Sequence, residues 1–227
     1  MDLSLVVFDV DGTLIDSQDI IVTAMHRAFA DAGRPLPARA AVLSVVGLSL
    51  HDAVARLAPE LDAGAVDETV ARYRAAFIAL REETGGEAAS PLYPGARAVV
   101  EALHARPEVL LGVATGKARR GLDHAFAGHD LDRFFVTRQT ADLHPSKPHP
   151  AMLEAALAET GVAPGRAVMV GDTTFDIEMA RGAGVLPIGV AWGYHPPEAL
   201  HSAGAAFVIE SFAQLPAVLE QFWRVSA

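Results

Sequence analysis

Short apolar runs alternate with amphipathic segments over most of this chain. The apolar runs, which predict strands, lie at 3–7, 110–114, 134–137, 167–171, 186–190 and 206–209. Apolar positions at helical spacing fill the intervals at 96–105, 118–127, 150–160 and 175–183, and a last helix follows the final strand. This alternation predicts a parallel sheet whose strands are joined by right-handed crossovers, with helices on both faces. The run at 167–171 is apolar almost throughout, as expected for a central strand that is buried on both faces.

Residues 19–84 have a different pattern, with two helical stripes and no strand pattern. The stripes consist of Ile21, Ala24, Met25, Ala28, Phe29 and Ala32, and of Val66, Val70, Tyr73, Phe77 and Leu80. These spacings place each set on one face of a helix. A third helix is predicted from Ser49, which can cap it, to Leu57, and Pro59 stops it.

The fold class predicted from these patterns is α/β, with a Rossmann-like parallel sheet core, helices on both faces of the sheet and an inserted all-helical cap. The core domain is expected to comprise residues 1–16 and 91–227, and the cap domain residues 17–90. Two connecting segments, 16–19 and 85–90, join the cap to the core at one place. We therefore expect the cap to hinge over the catalytic end of the first strand.

Composition narrows the classes of function that the chain can have. The chain has 227 residues, 51% of them apolar, with a formal net charge of −10 and no cysteine. It has no basic tract that could neutralise a phosphate backbone, so nucleic acid is not an expected partner. The first apolar stretch is short, lacks a basic flank and ends in acids, so neither a signal peptide nor a membrane span is predicted. The absence of cysteine excludes disulfides and thiol catalysis, and a cytoplasmic location is expected.

Polar side chains follow the predicted strands in four short segments. The segments are DVDGTLIDS at 9–17, ATGK at 114–117, SKPHP at 146–150 and GDTTFD at 171–176. Ligands of parallel α/β sheets bind outside the carboxyl ends of the strands. The side chains expected to meet at one site are therefore Asp9, Asp11, Thr115, Lys147 and Asp172. Each segment also has an ordinary structural explanation, since Asp-x-Asp-Gly can simply form a strand-to-turn corner and Thr115 can cap a helix.

In this order, the four segments resemble the motifs of the haloacid dehalogenase-like phosphatase superfamily, most closely its phosphoglycolate phosphatase-like branch. The resemblance implies a Mg²⁺-dependent phosphatase that hydrolyses a small phosphate monoester from metabolism, with 2-phosphoglycolate as the first candidate. It implies that Asp9 is the nucleophile that forms an aspartyl phosphate and that Asp11 is the general acid and base. The segment 189–194 also resembles this branch, although a strand that runs into a glycine-bounded turn explains it equally well.

The same resemblance implies roles for the remaining site residues. The transferring phosphoryl group is expected to be held by Thr115, Gly116 and Lys147. The Mg²⁺ ligands are expected to be Asp9, the main-chain carbonyl of Asp11, and Asp172. A cation is also required on physical grounds, because neighbouring carboxylates and a phosphate cannot all stay ionised without one. Asp176 is expected to support the metal ligands from behind or to orient Lys147, although an acid at a helix start is also common.

Several other activities are open at this stage. An inorganic pyrophosphatase is one alternative, and a sugar phosphomutase is another, although such mutases use a cap histidine where this chain has Ile21. Phosphonate-cleaving relatives use a cap lysine, which residues 16–92 lack, and dehalogenases lack the acid found here at Asp11. A non-catalytic phospholigand-binding protein is the alternative from a different class. Specificity is expected to depend on the cap, with residues 47–50 and Arg56 as candidates.

Overall fold

The computed structural model describes residues 3–86 and 90–225, and its centre is a six-stranded parallel sheet. The strands follow one another across the sheet in the order β3-β2-β1-β4-β5-β6. Their bounds are β1 Ser4–Phe8, β2 Val109–Thr115, β3 Thr137–Thr140, β4 Ala167–Gly171, β5 Leu186–Val190 and β6 Phe207–Ile209. Every neighbouring pair is parallel. The predicted α/β fold class is confirmed.

Ten α-helices are present in the described part of the chain, and they occur in two groups. Four belong to the insert after β1: α1 Gln18–Asp31, α2 Arg39–Leu43, α3 Leu50–Leu57 and α4 Ala63–Thr84. The other six flank the sheet: α5 Ala96–His104, α6 Arg119–Gly128, α7 Ala151–Thr160, α8 Thr174–Gly182, α9 Pro197–Ala203 and α10 Leu215–Val225. Among the described residues, no helix combines the length and the apolar character that crossing a membrane requires.

Side chains on the central strand point alternately to two separate apolar clusters. Val6 and Phe8 pack on one face with residues of α5, α6 and α10, while Leu5 and Val7 pack on the other with residues of α7 and α8. Because both faces of β1 are covered, every residue of the strand is buried. Apolar burial on both sides therefore fixes the position of the carboxyl end of β1.

The predicted strand at 134–137 is wrong in position. Phe134 closes a short 3₁₀ turn and is buried in the cluster on one face of the sheet, so its apolar character reflects packing outside a strand. The strand itself, Thr137–Thr140, is polar and lies at the edge of the sheet. Its buried polar groups bind one another, since Gln139 Nε2 donates to Thr137 Oγ1 at 2.7 Å. Apolar content alone therefore placed the strand too early.

The insert consists of helices in its described residues, as its sequence pattern predicts. The two predicted stripes lie on α1 and α4, where Met25 and Val70 share one apolar cluster. The predicted cap of α3 is confirmed, since Ser49 Oγ accepts a hydrogen bond from Asp52 N at 3.2 Å. The short helix α2 was not predicted, because five residues after a proline-rich stretch carry too little periodicity. The division into a core domain and a hinged cap domain stays a prediction, and residues 87–89 of the second connection lie outside the described residues.

The connection between α2 and α3 rests on the core near the end of β2. Ser49 N donates to Ser146 Oγ at 2.7 Å. The main-chain carbonyls of Gly47 and Leu48 lie so close to Gly116 that a side chain at that position would collide with them. The helical insert therefore covers the carboxyl edge of the sheet, where the candidate site residues lie.

Candidate active site

Three adjacent strands bring the predicted site residues to one edge of the sheet. Asp9 and Asp11 follow β1, Thr115 is the last residue of β2, and Asp172 follows β4. Their side chains are buried, with 1% of Asp9 and none of Asp172 exposed. Lys147 enters from the loop between β3 and α7 and is equally buried, at 1% exposure.

The turn after β1 holds the Asp9 carboxylate in a fixed orientation. Asp9 N donates to Val170 O of the neighbouring strand at 2.9 Å, and Val10 N donates to Asp9 Oδ1 at 2.7 Å. Gly12 continues the turn with φ at +85°. A Cβ atom at Gly12 would collide with the Asp172 carboxylate. Glycine is therefore required there both by the backbone conformation and by the close approach of β4.

Lys147 is a fully buried cation between two carboxylates. Its Nζ lies 3.0 Å from Asp9 Oδ2 and 2.7 Å from Asp176 Oδ1. Burial by itself lowers the pKa of Lys147, but the charges of Asp176 and Asp9 outweigh it and raise the pKa above its usual value. The peptide bond from Lys147 to Pro148 is cis. Lys147 is therefore protonated at neutral pH and presents a fixed positive charge to Asp9.

Asp176 combines two of the roles that its sequence position suggests. It is the third residue of α8, where its Oδ2 accepts from Thr173 N at 3.0 Å and from Thr173 Oγ1 at 2.8 Å, in a capping box. Its other oxygen accepts from Lys147 Nζ. The helix start thus holds the carboxylate rigidly, and the carboxylate in turn orients the lysine.

Three buried carboxylates form a group that could hold a metal ion. One oxygen each from Asp9, Asp172 and Asp176 lies within 4.8 Å of the others. With all three carboxylates ionised, these charges and that of Lys147 would sum to −2 in a buried space. Burial raises the pKa of Asp172 well above its usual value, and the charges of Asp176 and Asp9 raise it further. Hard carboxylate oxygens with uncompensated negative charge are the donor set that suits Mg²⁺.

The Asp11 carboxylate points to a different set of partners. Ser17 Oγ donates to Asp11 Oδ1 at 2.6 Å, and Lys117 Nζ lies 2.9 Å from Asp11 Oδ2. The hydroxyl groups of Ser17 and Tyr194 are 3.0 Å apart. Ser17 immediately precedes α1 but makes no side-chain capping hydrogen bond, and its hydroxyl instead positions Asp11. Sequence analysis assigned no role to Lys117, although its place in ATGK was a usable signal.

The segment after β5 supports the Asp172 carboxylate from the opposite side. Tyr194 N donates to Asp172 Oδ2 at 2.9 Å, and Thr13 Oγ1 donates to Asp172 Oδ1 at 2.8 Å. Trp192 Nε1 donates to Thr13 O at 3.1 Å. Residues 189–194 were interpreted either as a family-like segment or as a strand that runs into a glycine-bounded turn. The backbone has the second form, and through Tyr194 N the turn also orients Asp172, a candidate metal ligand.

A cavity of about 700 Å³ opens between the insert and the sheet edge. Its lining includes Asp9 and Asp11, which follow β1, and Thr115 at the end of β2, together with the cap residues 47–50 that sequence analysis singled out. Arg56, the other cap candidate, lies over the ring of Phe175 at 5.6 Å. The cavity therefore connects the candidate nucleophile with one of the two predicted specificity segments.

The free energy of unfolding should depend on pH because Asp9 has a raised pKa in the folded protein. Burial raises its pKa from the ordinary 3.8 to about 7, because the opposing effect of Lys147 is partly cancelled by Asp176. Between these values the folded protein binds more protons than the unfolded chain, so the contribution of Asp9 to stability is present at low pH and is lost as pH rises to about 7. We expect the unfolding free energy of the metal-free protein, minus that of Asp9→Asn, to fall over this interval.

Denaturant titrations of both proteins in EDTA, at a series of pH values, measure this difference. Repeating the series with Mg²⁺ should flatten the slope, because a bound cation favours the ionised carboxylate. A difference that stays level or rises with pH in EDTA would contradict the assignment.

Comparison with known proteins identifies the family. The family model described as haloacid dehalogenase-like hydrolase matches residues 6–190. The chain belongs to this family, so the superfamily predicted from the four motifs is confirmed. The match spans β1 to β5 and thus includes every strand that carries a candidate site residue.

Curated relatives cover almost the whole chain. The probable phosphatase IndB of Dickeya dadantii is 34% identical over 98% of this chain and 96% of its own length. A phosphoglycolate phosphatase of Pseudomonas syringae is 31% identical over 93% of this chain and 78% of its own length. The pyrophosphatase PpaX of Anoxybacillus flavithermus is 31% identical over 96% of this chain and 98% of its own length. Proteins of similar identity thus carry different substrate names.

Proposed function

We propose that this protein is a Mg²⁺-dependent phosphatase that hydrolyses phosphate monoesters of metabolite size through a phosphoryl group carried on Asp9. The observation that carries the proposal is the buried Asp9 carboxylate, which lines the cavity while Val10 N and Lys147 Nζ fix its orientation. A carboxylate held in this way is a pre-positioned nucleophile. Names of relatives in the family, which include phosphatases, agree with this reaction class.

The reaction proceeds in two displacements at phosphorus. An oxygen of Asp9 forms a bond to phosphorus as the bond from phosphorus to the substrate alcohol breaks, and Asp11 gives its proton to the departing oxygen. A water molecule then attacks the same phosphorus and loses a proton to Asp11. The bond to Asp9 breaks, and inorganic phosphate leaves. Ser17 and Lys117 keep the Asp11 carboxylate in place for both proton transfers.

Other residues bind the phosphoryl group and the cation. Thr115 is buried at the end of β2, where its hydroxyl accepts from Lys117 N at 3.3 Å, and with Gly116 and Lys147 it would bind the phosphoryl oxygens. Asp9, the Asp11 carbonyl and Asp172 would hold Mg²⁺. The bound cation would offset the negative charge of the carboxylates and the phosphate. Asp176, which is part of the same carboxylate group, would keep Lys147 directed at this site.

The proposed substrate to assay first is 2-phosphoglycolate, and inorganic pyrophosphate is the second candidate because one similar relative bears the name pyrophosphatase. Purified protein should release phosphate from a panel of small phosphate esters when Mg²⁺ is present. Sustained conversion of β-glucose 1-phosphate to the 6-phosphate, faster than phosphate release, would favour the mutase instead. Tight phosphoester binding with no turnover on any member would favour the non-catalytic binding protein.

Removing the metal should abolish activity, and removing one of its ligands should raise the Mg²⁺ concentration that activity requires. We expect excess EDTA to stop phosphate release and added Mg²⁺ to restore it. Asp172→Asn should raise the Mg²⁺ concentration needed for half-maximal activity by at least about tenfold, because one charged oxygen ligand is lost. Titration of Mg²⁺ against initial rate measures both effects. Full activity in EDTA, or an unchanged Mg²⁺ requirement in Asp172→Asn, would overturn the metal assignment.

A further inference from the structure

The cavity above Asp9 is larger than a two-carbon acid requires. At about 700 Å³ it lies in the range of roughly 300–1,000 Å³ that accommodates ligands of drug size. The insert touches the core beside the cavity, where Ser49 N donates to Ser146 Oγ. 2-Phosphoglycolate would occupy only the end near Asp9. Most of the space is left for the alcohol portion of a larger ester.

The wall that the insert contributes to this space is apolar and aromatic. Ile21 and Met25 of α1 line it together with Tyr73 and Phe77 of α4, whose ring centroids are 5.9 Å apart. Phe77 also lies 5.2 Å from Lys117 Nζ, which in turn pairs with Asp11. The aromatic wall is therefore continuous with the catalytic end of the cavity. An apolar group attached to the phosphate through a short link would be buried against it.

Three arginines line the same cavity, and none of them pairs with the catalytic carboxylates. Arg74 and Arg81 lie seven residues apart on α4 and so share one face of that helix, and Arg120 comes from α6 of the core. Arg74 and Arg120 are exposed, so they lie where the cavity opens to solvent. None of the three makes an ion pair with any residue that the structure describes, whereas other arginines, such as Arg119 with Asp123, do. Asp142 lines the same cavity, but the three arginines outnumber it and leave a local excess of positive charge in a chain of net charge −10.

We propose that the preferred substrate is a phosphate monoester whose alcohol portion carries an apolar or aromatic group and, beyond it, a second anionic group that binds Arg74, Arg81 and Arg120. The inference rests on the proposed function and specifies its substrate class. The phosphate would lie at Asp9, the apolar group against the wall of α1 and α4, and the second anion at the mouth. A guanidinium group recognises carboxylate or phosphate by paired, charge-assisted hydrogen bonds, so either anion fits.

The test uses three esters: 2-phosphoglycolate, benzyl phosphate and para-carboxybenzyl phosphate. The two benzyl esters have closely similar leaving groups, so they differ mainly in the distal carboxylate. We expect kcat/KM to be highest for para-carboxybenzyl phosphate, at least about tenfold above each of the others. Arg74→Gln, Arg81→Gln and Arg120→Gln should each lower only that value, by about three- to tenfold. Arg119→Gln, which removes the neighbouring charge outside the cavity lining, should leave all three values unchanged.

A binding measurement separates failure of this inference from failure of the proposed function. Calorimetric titration with benzylphosphonate, its para-carboxy derivative and phosphonoacetate reports affinity without any hydrolysis. If the para-carboxy derivative binds most tightly but none of the esters is hydrolysed, the proposed phosphatase activity is wrong and the proposed ligand class stands. If all three esters are hydrolysed without preference for the carboxybenzyl compound, or if 2-phosphoglycolate is the best substrate, the inference is overturned. The proposed phosphatase activity would stand in that case. The inference would also be overturned if Arg119→Gln lowered kcat/KM for para-carboxybenzyl phosphate as much as the three cavity variants do.

Discussion

Replacing Asp9 with Asn should lower kcat by at least about 10³-fold while leaving the protein folded. The amide keeps the shape of the side chain but cannot form the acyl phosphate intermediate. The position is buried, and Asn can still accept the hydrogen bond from Val10 N. We therefore expect the loss to appear in turnover, measured as phosphate release at saturating substrate, with a normal circular dichroism spectrum.

A matched substitution in the same segment controls for this result. Asp16→Asn removes a carboxylate seven residues further on, where Asp16 Oδ1 accepts a long hydrogen bond, at 3.4 Å, from Gln18 N and the carboxylate interacts with Tyr93. We expect its kcat to stay close to that of the unaltered protein. Near-normal turnover in Asp9→Asn would remove Asp9 from the nucleophilic role. An equal loss in both variants would show that the segment is sensitive to charge in general.

The layered fold was predictable because parallel strands leave a strong signal. β1 and β4 are buried on both faces, so their sequences are almost continuously apolar, and turn residues mark where they end. The position of β3 was predicted wrongly because an edge strand can have buried polar side chains that hydrogen-bond to one another, as Thr137 and Gln139 do. The apolar residues just before it, Phe134 and Phe135, pack in the core outside any strand.

Sequence could predict which side chains meet at the ends of the strands, but not which groups they bind there. Side chains that follow adjacent parallel strands must share one edge, and this argument suffices for Asp9, Thr115 and Asp172. It gives no information about hydrogen bonds between residues that are far apart in sequence. The contact of Ser17 with Tyr194 spans 177 positions and depends on how the turn after β5 packs against the start of α1. Such partners follow from tertiary structure, and periodicity does not reveal them.

Asp176 has two roles, of which local sequence explains one and the family resemblance alone implied the other. A carboxylate in the first turn of a helix is explained by the capping box alone. Only the fold brings Lys147, 29 residues earlier in the chain, to within 2.7 Å of it. The capping box holds the carboxylate that Lys147 needs, so local helix chemistry and the electrostatics of the site are satisfied by the same group.

Replacing Lys147 with Met should abolish activity and also destabilise the protein. The substitution keeps a long unbranched side chain but leaves Asp9 and Asp176 without the cation that they share. Breaking a buried ion pair by removing one partner costs about 3–5 kcal/mol of unfolding free energy. We expect a loss of that size in denaturant titrations in EDTA near neutral pH, together with a fall in kcat of at least about 10²-fold.

A second substitution distinguishes the charge effect from a packing defect. In Lys147→Met combined with Asp176→Asn, one of the two unpaired carboxylates is neutral, and the amide oxygen can still accept from Thr173 N. The double variant should therefore be more stable than Lys147→Met alone, because less uncompensated charge is buried, yet it should remain inactive because no cation faces the phosphoryl group. If the double variant were less stable than the single one, steric misfit of Met would explain the loss. If Lys147→Met itself unfolded within about 0.5 kcal/mol of the unaltered protein, the lysine would not be neutralising these carboxylates.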